Sequence, residues 1–284
     1  MEIGTVGVVG AGQMGNGIAH VAAASGLNVV LQDIAGQPLD RARSTIRRNL
    51  DRQVTKGTLS ESDAAATMGR IRFTTSLTDL SEAELVVEAA TERIDLKLAI
   101  FEQISKVTRP EAILASNTSS ISITLLASRT ARPDRVIGMH FMNPVPVMAL
   151  VEVIRGLATS DETASLVLAL AARMGKTTVE SRDVPGFIVN RVLMPYINEA
   201  VFALYEGIAT AADIDQAMKL GTNVPMGPLT LADFIGLDTT LSILEVLHQG
   251  HGDPKFRPCP LLRKYVEAGW LGKKSGRGFY TYAG

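Results

Sequence analysis

The stretch TVGVVGAGQMGNGIAHVAAASGLNVVLQD, residues 5–33, decides the fold. It holds no Asp, Glu, Lys or Arg before Asp33, a run long enough to suggest a membrane span or a leader. Glycines at 7, 10, 12, 15, 17 and 26 and the amides Gln13, Asn16 and Asn28 interrupt it too often for either. It reads instead as a buried strand Thr5–Val9, a tight turn, a buried helix and a second strand Asn28–Leu31. Gly10-Ala11-Gly12-Gln13-Met14-Gly15 follows the first strand directly and opens the helix, the context that gives a GxGxxG pattern its meaning. Gly10 permits the turn, Gly12 lets the backbone approach a pyrophosphate, and Gly15 lets helix and strand pack closely. The amides and dipole of the helix N-terminus then face the phosphates. Asp33 stands at the end of the second strand, roughly 20 residues past the turn, where a carboxylate accepts from both ribose hydroxyls and repels a 2′-phosphate. The expected cofactor is therefore NAD rather than NADP. A glycine turn with a solvated aspartate after it is the plainer alternative.

Working outward, Leu85–Glu88, Ala112–Ser116, Val136–Phe141 and Leu150–Ile154 also have strand length and composition, and helix-length segments separate most of them. That alternation predicts an α/β fold with an N-terminal, Rossmann-type doubly wound sheet over residues 1–183. Beyond it the pattern changes to the long amphipathic stretches Phe187–Tyr205, Ala211–Leu220, Leu229–Leu247 and Leu261–Glu267, so residues 184–284 are expected to form an all-helical domain. A chain of 284 residues with 46% hydrophobic content suits two such cores. Lys and Arg total 28 against 29 Asp and Glu, which leaves no global field for nucleic acid or an anionic membrane, and neither is an expected partner. Any phosphate site must be local. The single cysteine, Cys259, cannot form an intrachain disulfide, and four histidines without a cysteine set predict no metal site. A reducing compartment, the cytoplasm, is the expected location.

Three groups carry possible chemistry. His140 lies on the strand that runs into Met142-Asn143-Pro144, and Glu152 is a lone carboxylate in the apolar strand Leu150–Ile154. A buried carboxylate needs a partner, and if the two strands are neighbours that partner is His140. The carboxylate would fix the imidazole tautomer and make the ring a competent proton acceptor beside a hydride acceptor. A core histidine with a structural carboxylate is the bland alternative. Ser116–Ser120 follows a strand at the carboxyl edge, where open α/β sheets bind ligands, and Asn190 and Arg191 fall early in the first helix of the second domain. Helix capping alone explains many such polar clusters. Finally Arg41, Arg48, Arg52 and Lys56 fall at helical spacing on one face after the second strand, a solvated basic face by default.

GAGQMG (10–15), VVEAATE (86–92), ASNTSSISIT (115–124), GMHFMNPVPVMALVEVI (138–154), DVPGFIVNR (183–191), NVPMGPLTLADFIGLD (223–238) and GWLGKKSGRGFYTY (269–282) together resemble the short-chain L-3-hydroxyacyl-CoA dehydrogenase family. The likeness runs from Val6 to Tyr282 and is strongest to the stand-alone bacterial members that act on 3-hydroxybutyryl-CoA. It implies NAD-dependent oxidation of an L-3-hydroxyacyl-CoA to the 3-ketoacyl-CoA, and the reverse. It implies that His140 is the general base, Glu152 its orienting carboxylate, and Ser119 and Asn190 hydrogen-bonding partners of the substrate oxygens. Beside Gly10, Ala11, Gly12, Gln13, Met14, Gly15 and Asp33, it implies that Glu92, Lys97, Asn143 and Lys274 approach the NAD, with Ser119 serving both ligands. The basic helical face, Lys56 above all, is implied to meet CoA. Ala149 stands where relatives usually carry lysine and Met142 where phenylalanine is frequent, which touches acyl-CoA specificity rather than the reaction.

The resemblance and the apolar helix Phe187–Tyr205 both predict a homodimer through the second domain, with the active site in the crevice between domains. Two alternatives stay open at the level of sequence. One is a dehydrogenase of the same fold for a free hydroxy or sugar acid such as L-gulonate, with Arg191 as carboxylate partner. The other is a catalytically idle NAD-binding structural protein.

Overall fold

The computed structural model describes residues 3–282, and the chain divides into two units, Met1–Val184 and Pro185–Gly284. In the first, the strands β1 (Thr5–Val9), β2 (Asn28–Gln32), β3 (Ile71–Thr74), β4 (Leu85–Glu88), β5 (Ile113–Ser116), β6 (Val136–Phe141), β7 (Leu150–Arg155) and β8 (Thr177–Arg182) form one sheet. Its order is β3-β2-β1-β4-β5-β6-β7-β8. Every neighbouring pair is parallel except β6–β7. The helices α1 (Gln13–Ala24), α2 (Gly36–Thr55), α3 (Glu61–Gly69), α4 (Ile94–Val107), α5 (Ile123–Ala127) and α6 (Asp161–Arg173) connect them. From β1 the chain builds outward to β2 and β3, then returns to β4 and builds the other way. Right-handed crossovers in opposite directions put helices on opposite faces, and the reversal between β1 and β4 leaves a crevice at the carboxyl ends of those strands.

The central strands could be read from sequence because both faces are covered. All residues of β4, β5 and β6 are buried, so apolar side chains run on without alternation. The expectation lacked β3 and β8. These are the two edges of the sheet, and Ile71-Arg72-Phe73-Thr74 and the largely exposed Thr177-Thr178-Val179-Glu180-Ser181-Arg182 carry the polar residues that edges tolerate.

The second unit is built from α7 (Val189–Tyr205), α8 (Ala211–Gly221), α9 (Pro228–Ile235), α10 (Leu237–His251) and α11 (Pro260–Glu267) around Met194, Ile197, Val201, Leu229, Leu244 and Leu247. The stretch Leu229–Leu247 is two helices rather than one. Gly236 separates them at φ 101°, a conformation that L side chains rarely adopt, and a Cβ there would stand 3.0 Å from both Asp238 Oδ1 and Lys274 Nζ. The apolar period continues across the break, which is why sequence alone does not show it. The basic glycine-rich tail folds back onto α8 and α9. Phe279 and Tyr280 donate backbone N–H groups to Asp233 at 3.0 Å each, and the Tyr280 hydroxyl donates to Asp215 Oδ2 at 2.8 Å. Among the described residues no helix is long and apolar enough to cross a membrane.

Candidate dinucleotide and proton-transfer site

The turn after β1 is built for close approach. Gly10 has φ 99°, and a Cβ on Gly15 would lie 1.7 Å from the Gly10 carbonyl oxygen, so α1 can start against the turn only with glycine there. At Gly12 a Cβ would meet nothing within 4 Å, so the backbone faces open space. Gly10 and Gly12 line a cavity of about 600 Å³ with Asp33, Arg41, Ala89 and Thr91, formed where the ends of β1, β2 and β4 meet α4. The Asp33 carboxylate accepts from the Ala11 backbone N–H at 2.8 Å, which ties the end of β2 to the glycine turn. A carboxylate has about four acceptor positions, so ribose hydroxyls fit beside that bond. Open space beside the Gly12 backbone, a carboxylate at the ribose position and a cavity of about 600 Å³ fit a dinucleotide without a 2′-phosphate. Arg41 lines this cavity, whereas Arg48, Arg52 and Lys56 continue exposed along and beyond α2, with Lys56 as its C-cap.

Antiparallel pairing of β6 and β7 sets His140 directly opposite Glu152. The His140 Nδ1 lies 2.7 Å from Glu152 Oε2; the carboxylate is wholly buried and the histidine nearly so. An ionised carboxylate only accepts, so Nδ1 carries the hydrogen and Nε2 is the basic nitrogen. One strand over, Ser116 at the end of β5 pairs in register with Gly138 of β6, which brings the Asn117–Ser120 turn beside the end of the histidine strand. Asn117, which the sequence reading did not single out, accepts the Phe141 backbone N–H through Oδ1 at 2.9 Å. Gln13, at the start of α1, donates Nε2 to Asn143 Oδ1 at 3.0 Å and so links the glycine turn to the loop after β6.

Glu88, Glu92 and Lys97 form a third group at the same sheet edge. Lys97 Nζ lies 2.7 and 2.9 Å from the two Glu88 carboxylate oxygens and 3.3 Å from Glu92 Oε2. Glu92 in turn accepts the Ser119 backbone N–H at 3.0 Å. The first unit thus brings together the Gly10–Gly15 turn, Asp33, Glu92, Lys97, Ser119, His140, Asn143 and Glu152 along the carboxyl ends of β1, β2, β4, β5 and β6. Asn190, buried at the start of α7, and Lys274, paired with Asp238 at 2.6 Å, belong to the second unit. Glu88 had no sequence signal beyond being a carboxylate at a strand end. Its lysine lies on the following helix and shows only in three dimensions.

Two family models match the chain: 3-hydroxyacyl-CoA dehydrogenase, NAD binding domain, over residues 5–184, and 3-hydroxyacyl-CoA dehydrogenase, C-terminal domain, over residues 186–282. A probable 3-hydroxybutyryl-CoA dehydrogenase of Bacillus subtilis is 56% identical over 282 residues, covering 99% of this chain and 98% of that protein. A 3-hydroxybutyryl-CoA dehydrogenase of Bradyrhizobium diazoefficiens is 57% identical over 279 residues, with 98% and 95% covered. The crystal structure of (S)-3-hydroxybutyryl-CoA dehydrogenase from Ralstonia eutropha matches with a TM-score of 0.98 at 53% identity over the whole of both chains.

Proposed function

This chain belongs to the 3-hydroxyacyl-CoA dehydrogenase family, and from that premise we propose that it interconverts an L-3-hydroxyacyl-CoA, with 3-hydroxybutyryl-CoA as the favoured substrate, and the 3-ketoacyl-CoA. When bound, NAD supplies the acceptor for the hydride on the substrate's C3. The chain's own residues do the rest. His140 takes the hydroxyl proton at Nε2. The Glu152 carboxylate, held at Nδ1, keeps the ring in the tautomer that can receive it and balances the imidazolium charge that forms. Ser119 and Asn190 donate hydrogen bonds to the substrate oxygen on which charge changes. Gly10, Ala11, Gly12, Gln13, Met14 and Gly15 with Asp33 bind the dinucleotide, with Asn143 and Lys274 as further contacts, and Lys56 serves the CoA phosphates.

The buried His140–Glu152 pair, at the sheet edge that carries the glycine turn, is the observation that carries this reading. It also weighs against the idle structural protein, because a histidine pinned by a buried carboxylate is costly to keep for packing alone. Replacing His140 by Gln keeps size and polarity but removes proton acceptance. The kcat for NADH-dependent reduction of acetoacetyl-CoA should fall by roughly 10²-fold or more, with NADH affinity little changed. Glu152→Gln should lose activity while remaining folded. Wild-type turnover in His140→Gln would overturn the assignment. A cytoplasmic homodimer assembled through the helical unit completes the proposal, in line with the lone buried Cys259 and with apolar side chains exposed on and around α7.

A further inference from the structure

β5 ends before its neighbour does. Its last residue, Ser116, stands opposite Gly138, so Met139, His140 and Phe141 of β6 run on past the β5 ladder. On the other side β7 keeps these three in register, with Phe141 opposite Val151. A buried backbone N–H that faces away from β7 still needs an acceptor. Phe141 is buried, and the Asn117 side chain takes its N–H through Oδ1 at 2.9 Å, the role that a strand carbonyl would fill if β5 continued. The Asn117 backbone N–H goes the opposite way, to the Glu88 carbonyl at the end of β4 at 2.8 Å. One asparagine thus ties the ends of β4, β5 and β6 together where regular pairing between β5 and β6 has stopped.

Each side of this joint carries a reacting group. His140 directly precedes Phe141 and is pinned to Glu152 from the β7 side, and Ser119 follows Asn117 by two residues. In the dehydrogenase reading both meet one substrate oxygen, the histidine taking its proton and the serine donating to it, so a misplacement of about 1 Å between them costs rate. The ladder with β7 holds β6 whatever stands at position 117. Residues 117–120 belong to no strand or helix, and their place beside β6 depends on contacts such as the Asn117 bond. We propose that Asn117 is a positioning residue, which sets the turn carrying Ser119 against the histidine strand so that Ser119 and His140 converge on the same oxygen. The proposal rests on the dehydrogenase reading above.

The test measures kcat and KM for acetoacetyl-CoA at saturating NADH in the wild type, Asn117→Leu, Asn117→Asp, Ser119→Ala and Asn117→Leu/Ser119→Ala. Leucine has nearly the shape of asparagine but accepts nothing, and Asn117→Leu should lower kcat by about tenfold or more. Aspartate keeps an oxygen for the Phe141 N–H, so Asn117→Asp should recover at least about fivefold of that loss. In the Ser119→Ala background the leucine substitution should cost less than about threefold, because a turn without its hydroxyl has little left to misplace. General damage to the fold would add to the Ser119 loss and would not be rescued by aspartate. Wild-type kcat in Asn117→Leu, additive losses in the double variant, or a loss in Asn117→Asp as large as in Asn117→Leu would each overturn the proposal. If Asn117→Leu does not fold, Asn117→Ala, which also lacks the acceptor and adds no bulk, takes its place with the same outcomes. A wild type inactive on acetoacetyl-CoA would remove the dehydrogenase reading and this proposal with it, whereas an active wild type with an equally active Asn117→Leu would remove the proposal alone.

Discussion

Asp33 and Arg41 line one cavity with opposite charges, and that decides how cofactor choice should respond to mutation. The carboxylate repels a 2′-phosphate, and the guanidinium is a ready partner for one. Asp33→Ser should therefore narrow the kcat/KM ratio of NAD over NADP by about tenfold or more without an added arginine, and Arg41→Ala on top should undo part of that shift. An unchanged ratio in Asp33→Ser would remove Asp33 from the cofactor assignment. At sequence level Arg41 looks like one member of a basic stripe with Arg48, Arg52 and Lys56, because helical spacing cannot tell which end of a helix borders a cavity. His140 and Glu152 stand out more plainly, since a lone carboxylate in an apolar strand must find a partner. Their spacing left open whether the strands are neighbours, and the β6–β7 register shows that they are.

Central strands and capped helices were legible because burial on both faces and the glycine turn leave strong local marks, while polar edges and a glycine break leave weak ones. The tail on α8 and α9 illustrates the second kind. Its partners Asp215 and Asp233 lie on separate helices, far from it along the chain. Burial first, then the hydrogen bond to Asp215, pushes the Tyr280 hydroxyl up to about 12, and burial with the Asp233 bond raises Tyr282 as well. A phenol whose pKa is higher in the fold than in the unfolded chain contributes stability in full below about pH 10 and loses it as the pH rises towards about 12. The urea midpoint should fall between about pH 8 and about pH 11, and Tyr280→Phe, which cannot ionise there, should show a smaller fall. Equal falls in both proteins would show that this contact does not govern alkaline stability.

For the whole molecule, composition excluded a global charge field, but neither assembly nor substrate is written in composition. Val192 is 67% exposed, Ile208 70% and Tyr205 55%, all on or just after α7, and the proposed homodimer would cover apolar side chains of this kind. Light scattering at micromolar concentration should give a dimer; a fully active monomer would contradict it. Substrate class rests on the whole constellation, with an acyl-CoA thioester on one side and a free hydroxy acid or sugar acid on the other. Initial rates of NADH oxidation by the wild-type protein, with acetoacetyl-CoA and with free acetoacetate at equal concentration, separate the two most directly. Rapid turnover of the CoA ester with little or none of the free acid is the expected result, and preference for the free acid, or no turnover of the ester, would contradict it.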